Sequence, residues 1–386
     1  MYSFDSIIER RNTNSVKWDA AGDPNVLPMW VADMDFPTAP CVIDALKQRV
    51  EHGAYGYTKV PEEYYQATID WFRERHGLTV QRNWILYTSG VVPALSAVIK
   101  ALTQPGDKVI VQTPVYNCFF SSIRNNGCGI LENPLIYHDG TYTMDFDDLR
   151  RKASDDAAKV LILCNPHNPA GRVWHEDELR QLGTICMEHG VTVISDEIHC
   201  ELVFAPHKHI SYASLGEEFA AHSVTCSSPS KAFNIAGLQI ANIFVQNPTV
   251  RRAVDRALNI NEVCDVNPFG VLALIAAYRH GAVWLDELNA YLWENYQTLC
   301  AFFAQELPTL SVTRLEGTYL VWIDCRSLGR TSDELKDYLY EHGKVWINSG
   351  AMYGAEGEGF IRINIACPRQ LLLEGLNRIK SCLSEH

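Results

Sequence analysis

Apolar and polar positions change period repeatedly between residues 89 and 260. A helical pattern over 93–102 leads into PGDKVIVQT, a turn followed by a short buried strand. A helix is expected over 117–125, a strand near Ile130 and a helix around 145–153. KVLILC (159–164) reads as a continuous apolar strand, 176–190 as a helix ending at glycine, and VTVIS (191–195) as another strand. SVTCSS (223–228) and IANIFVQ (240–246) complete the set. Unbroken apolar runs of five or six residues between amphipathic helices mark a mostly parallel sheet buried on both faces. The expected fold is α/β, a doubly wound large domain over 46–280.

The last hundred residues follow a different pattern. Helices are expected over 283–306, 332–342 and 369–383, around strands at 311–315, 318–324 and 358–365. This reads as a smaller α+β domain, formed by 281–386 together with the weakly periodic residues 1–45.

Composition narrows the function. The chain has 386 residues, enough for about two domains. Its formal net charge of −13 speaks against a broad nucleic-acid or anionic-membrane surface. The longest apolar run, from Val271 to Tyr278, is eight residues, whereas a membrane-spanning helix needs about 20. The opening MYSFDSIIERRNT has early charges and no apolar core, so no secretory signal is expected. The 12 cysteines are scattered without any C-x-x-C, which suits buried free thiols in a reducing cytoplasm. His207-Lys208-His209 reads as a solvated loop rather than a metal site.

In open α/β sheets ligands bind beyond the carboxyl ends of the strands. Asn168 follows KVLILC, Asp196 and His199 follow VTVIS, and Ser228, Ser230 and Lys231 follow SVTCSS. An amide, a carboxylate and an amine thus reach one edge, as a pyridoxal phosphate pocket requires: a lysine to carry the cofactor and a carboxylate for its pyridine nitrogen. Asp196 at the end of an apolar run needs a positive partner, the alternative being a helix N-cap. Ser89-Gly90-Val91-Val92-Pro93 opens a helix, and a helix N-terminus offers backbone N–H groups to phosphate. Tyr116 ends another strand, where it either stacks on a ligand ring or packs in the core. Trp30, Met34 and Phe36 either line the pocket entrance or belong to core or dimer packing.

The blocks SGVVPALSAVIKAL, TPVYNCFF, NPHNPAGRVW, SDEIH, SPSKAFNIAGLQ and GFIRINIACPR resemble those of fold-type I pyridoxal phosphate enzymes. With LPMWVADMDFPTAP and YGYT they are similar, more narrowly, to the MalY/PatB-type C–S lyase branch of the class I/II aminotransferase superfamily. The resemblance implies an aspartate-aminotransferase-like fold and a carbon–sulfur lyase of sulfur amino-acid metabolism. It implies that Lys231 carries the cofactor and acts as base at Cα, that Asp196 pairs with the pyridine nitrogen and that Asn168 donates to the ring oxygen. His199 stands where many relatives have a tyrosine, and Tyr116 stacks on the ring. Gly90, Val91, Val92, Ser228 and Ser230 cradle the phosphate, and Arg362, with Asn168, holds the substrate carboxylate. Tyr57 reaches the phosphate of the other subunit of a homodimer. Gln239 replaces a basic residue common in relatives, leaving the phosphate one cation short. The same residues serve a broad-specificity aminotransferase, and a regulatory protein binding a transcription factor is the non-enzymatic alternative.

Overall fold

The computed structural model describes residues 2–260 and 265–384. Its centre is a seven-stranded sheet. The spatial order is Ile85–Thr88, Ala241–Phe244, Ser223–Ser227, Thr192–Asp196, Ala158–Cys164, Lys108–Val111 and Gly129–Glu132. Ala241–Phe244 runs antiparallel to both of its neighbours, and the other pairings are parallel. Alternation along the Ala158–Cys164 strand divides its side chains between two cores. Val160, Ile162 and Cys164 pack with Leu95 and Val98 of the Val91–Leu102 helix, while Leu161 and Leu163 pack with Leu179 and Leu182 of the Glu176–Glu188 helix. Burial on both faces is why these strands read as unbroken apolar runs.

The expected helices form at Cys118–Asn125, Phe146–Ala153 and Glu176–Glu188, with Gly190 in the left-handed region beyond the last. Asp145 caps the second by accepting from the Asp148 N–H. Several features were not anticipated, among them the helices Pro40–His52, Glu62–His76, Pro248–Asn259 and Pro268–His280. The edge strand Ile85–Thr88 is only half-buried along most of its length, and its apolar run, 84–87, is four residues long. The hairpin Ile136–His138/Thr141–Thr143 turns on Asp139 and Gly140, both with positive φ (47° and 74°). Asp-Gly between short strands is the usual signal for such a turn.

In the C-terminal region Ser311–Val312, Leu320–Asp324, Phe360–Asn364 and Asn348–Ser349 form an antiparallel four-stranded sheet. The helices Ala282–Glu306, Ser332–Glu341 and Arg369–Ser384 accompany it. The N-terminal Leu27–Pro28 pairs in parallel with Val345–Trp346, and residues 29–36 then cross towards the large sheet. Among the described residues no single helix is long and apolar enough to cross a membrane.

Candidate active site

Register sets the site. Asp196 ends its strand between Cys164 and Cys226 on the neighbouring strands, in the middle of the carboxyl edge. A cavity of about 430 Å³ opens there. It brings together Gly90, Val91, Val92, Tyr116, Asn168, Asp196, His199, Ser230, Lys231 and Arg362, residues that lie up to 272 positions apart in the chain.

Lys231 sits on a tight turn after Ser223–Ser227, tied by the Phe233 N–H to Pro229 O (2.9 Å) and the Ile235 N–H to Ser230 O (3.0 Å). Its Nζ donates to the Ala32 carbonyl at 2.6 Å. Burial draws the amine down to about 8, against the raising influence of Asp33 and Asp196. An amine in that range is neutral for about a tenth of the molecules at pH 7, far more than an ordinary lysine, and serves as a base. Asp196 is buried with one hydrogen bond, from the Ile198 N–H at 3.1 Å. Burial pushes its carboxyl up to about 7, and the adjacent Glu197 charge adds to the rise.

Arg362 occupies the middle of the Phe360–Asn364 strand, opposite Trp322 and Asn348, and is 4% exposed. Its Nη1 donates to Asn168 Oδ1 (3.0 Å), and its Nη2 to Trp30 O (2.9 Å) and Asn348 Oδ1 (3.0 Å). The guanidinium lies 5.0 Å from the centre of the Tyr353 ring. No carboxylate pairs with it among these contacts, and its buried Nε has no partner. His199 Nδ1 is likewise buried and unpartnered, and burial with nearby Lys231 and Arg362 depresses the imidazole to about 3. Burial pushes the Tyr116 phenol up, with Cys118 adding to the effect.

The Val91–Leu102 helix points its N-terminus at the cavity and has no side-chain cap. Pro93 has no N–H and the Ala94 N–H bonds Gly90 O (3.0 Å), leaving the Val91 and Val92 amides for an anion. A β-carbon built at Gly90 would meet only the Pro93 ring, at 3.4 Å, so the chain itself leaves space there.

Some sequence-predicted residues lie elsewhere. Ser228 is outside the cavity lining: its hydroxyl donates to Ile240 O (2.6 Å) and accepts the Ser230 N–H (3.0 Å), fixing the lysine turn. Tyr57 is 98% exposed and does not reach the cavity of its own chain. Gln239 is exposed and lines a neighbouring hollow with Ser89 and Arg82. Trp30 lines the cavity, whereas Met34 and Phe36 are core. The reading of His207-Lys208-His209 as a solvated loop fails at His209, which is buried and pairs with Glu197 at 3.1 Å. The loop folds back because Glu197, fully buried next to Asp196 in the chain, needs hydrogen-bond partners.

Sequence reasoning missed Ala32, Asn348 and Tyr353. Asn348 and Tyr353 lie in a short strand and a 3₁₀ turn with weak patterning. Ala32 acts through its backbone carbonyl, which no side-chain pattern reveals. His76, Cys200 and Glu201 also cluster within metal-ligating distance. Glu201 is already engaged by His76 (2.6 Å), Arg75 (3.1 Å) and Trp71 (2.5 Å), the bonding of a structural charge cluster.

A half-buried lysine and a buried carboxylate and arginine, brought by separate elements to the carboxyl edge of a doubly wound sheet, define a fold-type I pyridoxal phosphate site. The model of the family "Aminotransferase class I and II" matches residues 24–379. Cystathionine beta-lyase PatB of Bacillus subtilis (strain 168) is 45% identical over 386 residues, covering 99% of this chain and 100% of the relative. Protein MalY of Escherichia coli (strain K12) is 34% identical, with 97% of each chain covered. Cystalysin from Treponema denticola, a solved structure containing pyridoxal 5'-phosphate, superposes with a TM-score of 0.97 at 35% identity, covering 100% of this chain and 99% of that one. The chain belongs to the class I and II aminotransferase family, in its MalY/PatB-type C–S lyase branch.

Proposed function

We propose that this protein is a pyridoxal phosphate-dependent C–S β-lyase of the cystathionine β-lyase type. With uptake of one water, it splits cystathionine, cysteine or related S-conjugates into a thiol, pyruvate and ammonia. The observation that carries the reading is the single cavity in which Lys231, Asp196 and the carboxylate-free guanidinium of Arg362 converge. Its donor set suits the cofactor: unpartnered buried nitrogens on His199 and Arg362, two free amides at a helix N-terminus, and space at Gly90.

Lys231 carries the cofactor, and Asp196 holds the proton of its ring nitrogen. Bound there, pyridoxal phosphate supplies an electron sink that acidifies the α-proton of an amino acid. Asn168 and His199 would hold the ring oxygen, and Tyr116 would offer the ring an aromatic face. Val91, Val92 and Ser230 hold the phosphate. Arg362 would fork onto the substrate α-carboxylate, and Lys231 would take the Cα proton, the electron pair left on Cα expelling the thiolate from Cβ. The exposed Tyr57 serves the phosphate site of a second copy, making the homodimer the active unit. Action in the cytoplasm suits the cysteines, free wherever described.

Incubation with L-cystathionine and no keto acid tests the reading. Catalytic release of pyruvate is expected. Turnover that appears only when a keto acid is added would replace the lyase with an aminotransferase using the same residues.

A further inference from the structure

Lys231 is not the only group that holds the Ala32 carbonyl. The Tyr319 hydroxyl donates to the same oxygen at 3.0 Å, while Lys231 Nζ donates at 2.6 Å. The peptides on either side of Ala32 are pinned as well. Asn364 Nδ2 donates to Val31 O (2.5 Å) and Asp33 O (2.7 Å). Tyr319 is fully buried, with its ring edge-on to His199 at 6.0 Å.

The turn that aims Tyr319 is under strain. Thr318 has φ 71°, a left-handed conformation that is rare and costly for a β-branched residue. The surroundings enforce it. The Thr318 N–H bonds Leu202 O (2.7 Å), and Thr318 Oγ1 accepts the Leu320 N–H (3.1 Å). The N–H groups of Glu316 and Gly317 both bond Gly171 O, at 2.8 and 3.1 Å. A β-carbon at Gly317 would lie 2.9 Å from Leu202 O, so this approach requires glycine. Gly171 belongs to the loop that carries Asn168, and Leu202 to the loop that carries His199. The strained turn therefore locks Tyr319 to both strand-end loops of the site. Strain held by so many bonds, at a residue next to the pocket, points to function rather than folding.

We propose that Tyr319 is a positioning residue, whose hydroxyl holds the Ala32 carbonyl as a fixed dock for the Lys231 amine whenever that amine is free. Burial keeps the phenol protonated, so Tyr319 is always the donor and the carbonyl always the acceptor. In the reaction the Lys231 nitrogen forms an N–H bond as the Cα–H bond breaks, the electron pair of that bond expels the β-thiolate, and the resulting ammonium returns to Ala32 O. A base held at a fixed point can act in the short interval before the substrate moves away. This inference rests on the assignment of Lys231 as the base.

The test is Tyr319→Phe in the holoenzyme, with L-cystathionine and its Cα-deuterated form. The expected result is a kcat lower by on the order of tenfold, a KM within about twofold, and a larger deuterium isotope effect than in the wild type. A purely structural role would not raise the isotope effect. In cofactor-free protein, amides of residues 31–35 should exchange hydrogen severalfold faster, as loss of about one hydrogen bond implies. Wild-type kcat, isotope effect and exchange in the variant would overturn the inference. If Tyr319→Phe does not fold, Thr318→Gly keeps the hydroxyl but frees the turn. It should lower kcat and raise the isotope effect in the same way, and no change in either would again overturn the inference. Borohydride trapping separates the two levels: a wild-type protein not trapped at Lys231 removes the reading of the site itself.

Discussion

Asp196 and Glu197 are consecutive buried carboxylates with opposite fates. Asp196 accepts one backbone N–H, and burial lifts it to about 7. Glu197 is at least as deeply buried, but His209, the Tyr212 N–H and the Ser195 hydroxyl together outweigh burial and hold it below its ordinary range. Glu201, four residues on, is finished in the same way by His76, Arg75 and Trp71 and drawn down to about 2. The protein has completed the bonding of the two structural carboxylates and left the one that faces the cavity incomplete. An unfinished buried charge is where a ligand belongs.

The sharpest way to break this contrast is to remove the amine that faces Asp196. Lys231→Ala should lose thiol release from L-cystathionine by on the order of 10⁴-fold, with no cofactor trapped by borohydride. Activity within tenfold of the wild type would end the assignment. Next, Glu197→Gln should destabilise the protein by about 3 kcal/mol, because the amide NH2 would replace one of the carboxylate oxygens that now take buried bonds from His209, the Ser195 hydroxyl and the Tyr212 N–H. Urea unfolding measures this, and a change below about 1 kcal/mol would mean that Glu197 is not the finished group described here. Smaller still, Arg362→Lys should cost about 2 kcal/mol in kcat/KM by losing the planar fork. The loss should be much less for a substrate whose α-carboxylate is amidated.

Much of this was legible in the sequence, and the reasons are physical. The apolar runs 159–164 and 191–195 are buried on both faces, so their strands and the residues following them announced themselves. Lys231, Asp196, Asn168 and Arg362 lie at or beside such runs. The misses lie where the period fails. Ile85–Thr88 is an edge strand, and the Ile136–His138 hairpin is largely exposed. Ser228 was assigned to the phosphate on its hydroxyl, but the Ile240 carbonyl takes that proton first. His209 sat in a polar stretch whose buried partner, Glu197, is twelve residues away. Ala32 contributes a carbonyl, and only the folded chain reveals it.

The contrast between the two neighbouring carboxylates is tested most directly by the stability of cofactor-free Asp196→Asn across pH. The folded value near 7 lies above the unfolded 3.8, so the folded protein retains a proton that the unfolded chain gives up. Wild-type stability should therefore fall as pH rises from about 4 to about 7, and the deficit should persist above that. Lys231 acts in the other direction between about 8 and 10.5, but it is present in both proteins. Denaturant unfolding should show Asp196→Asn more stable than the wild type by about 1–3 kcal/mol at pH 7.5, with the difference closing near pH 4. An asparagine variant less stable than the wild type throughout this range would show that Asp196 is as finished as Glu197, and would contradict the account.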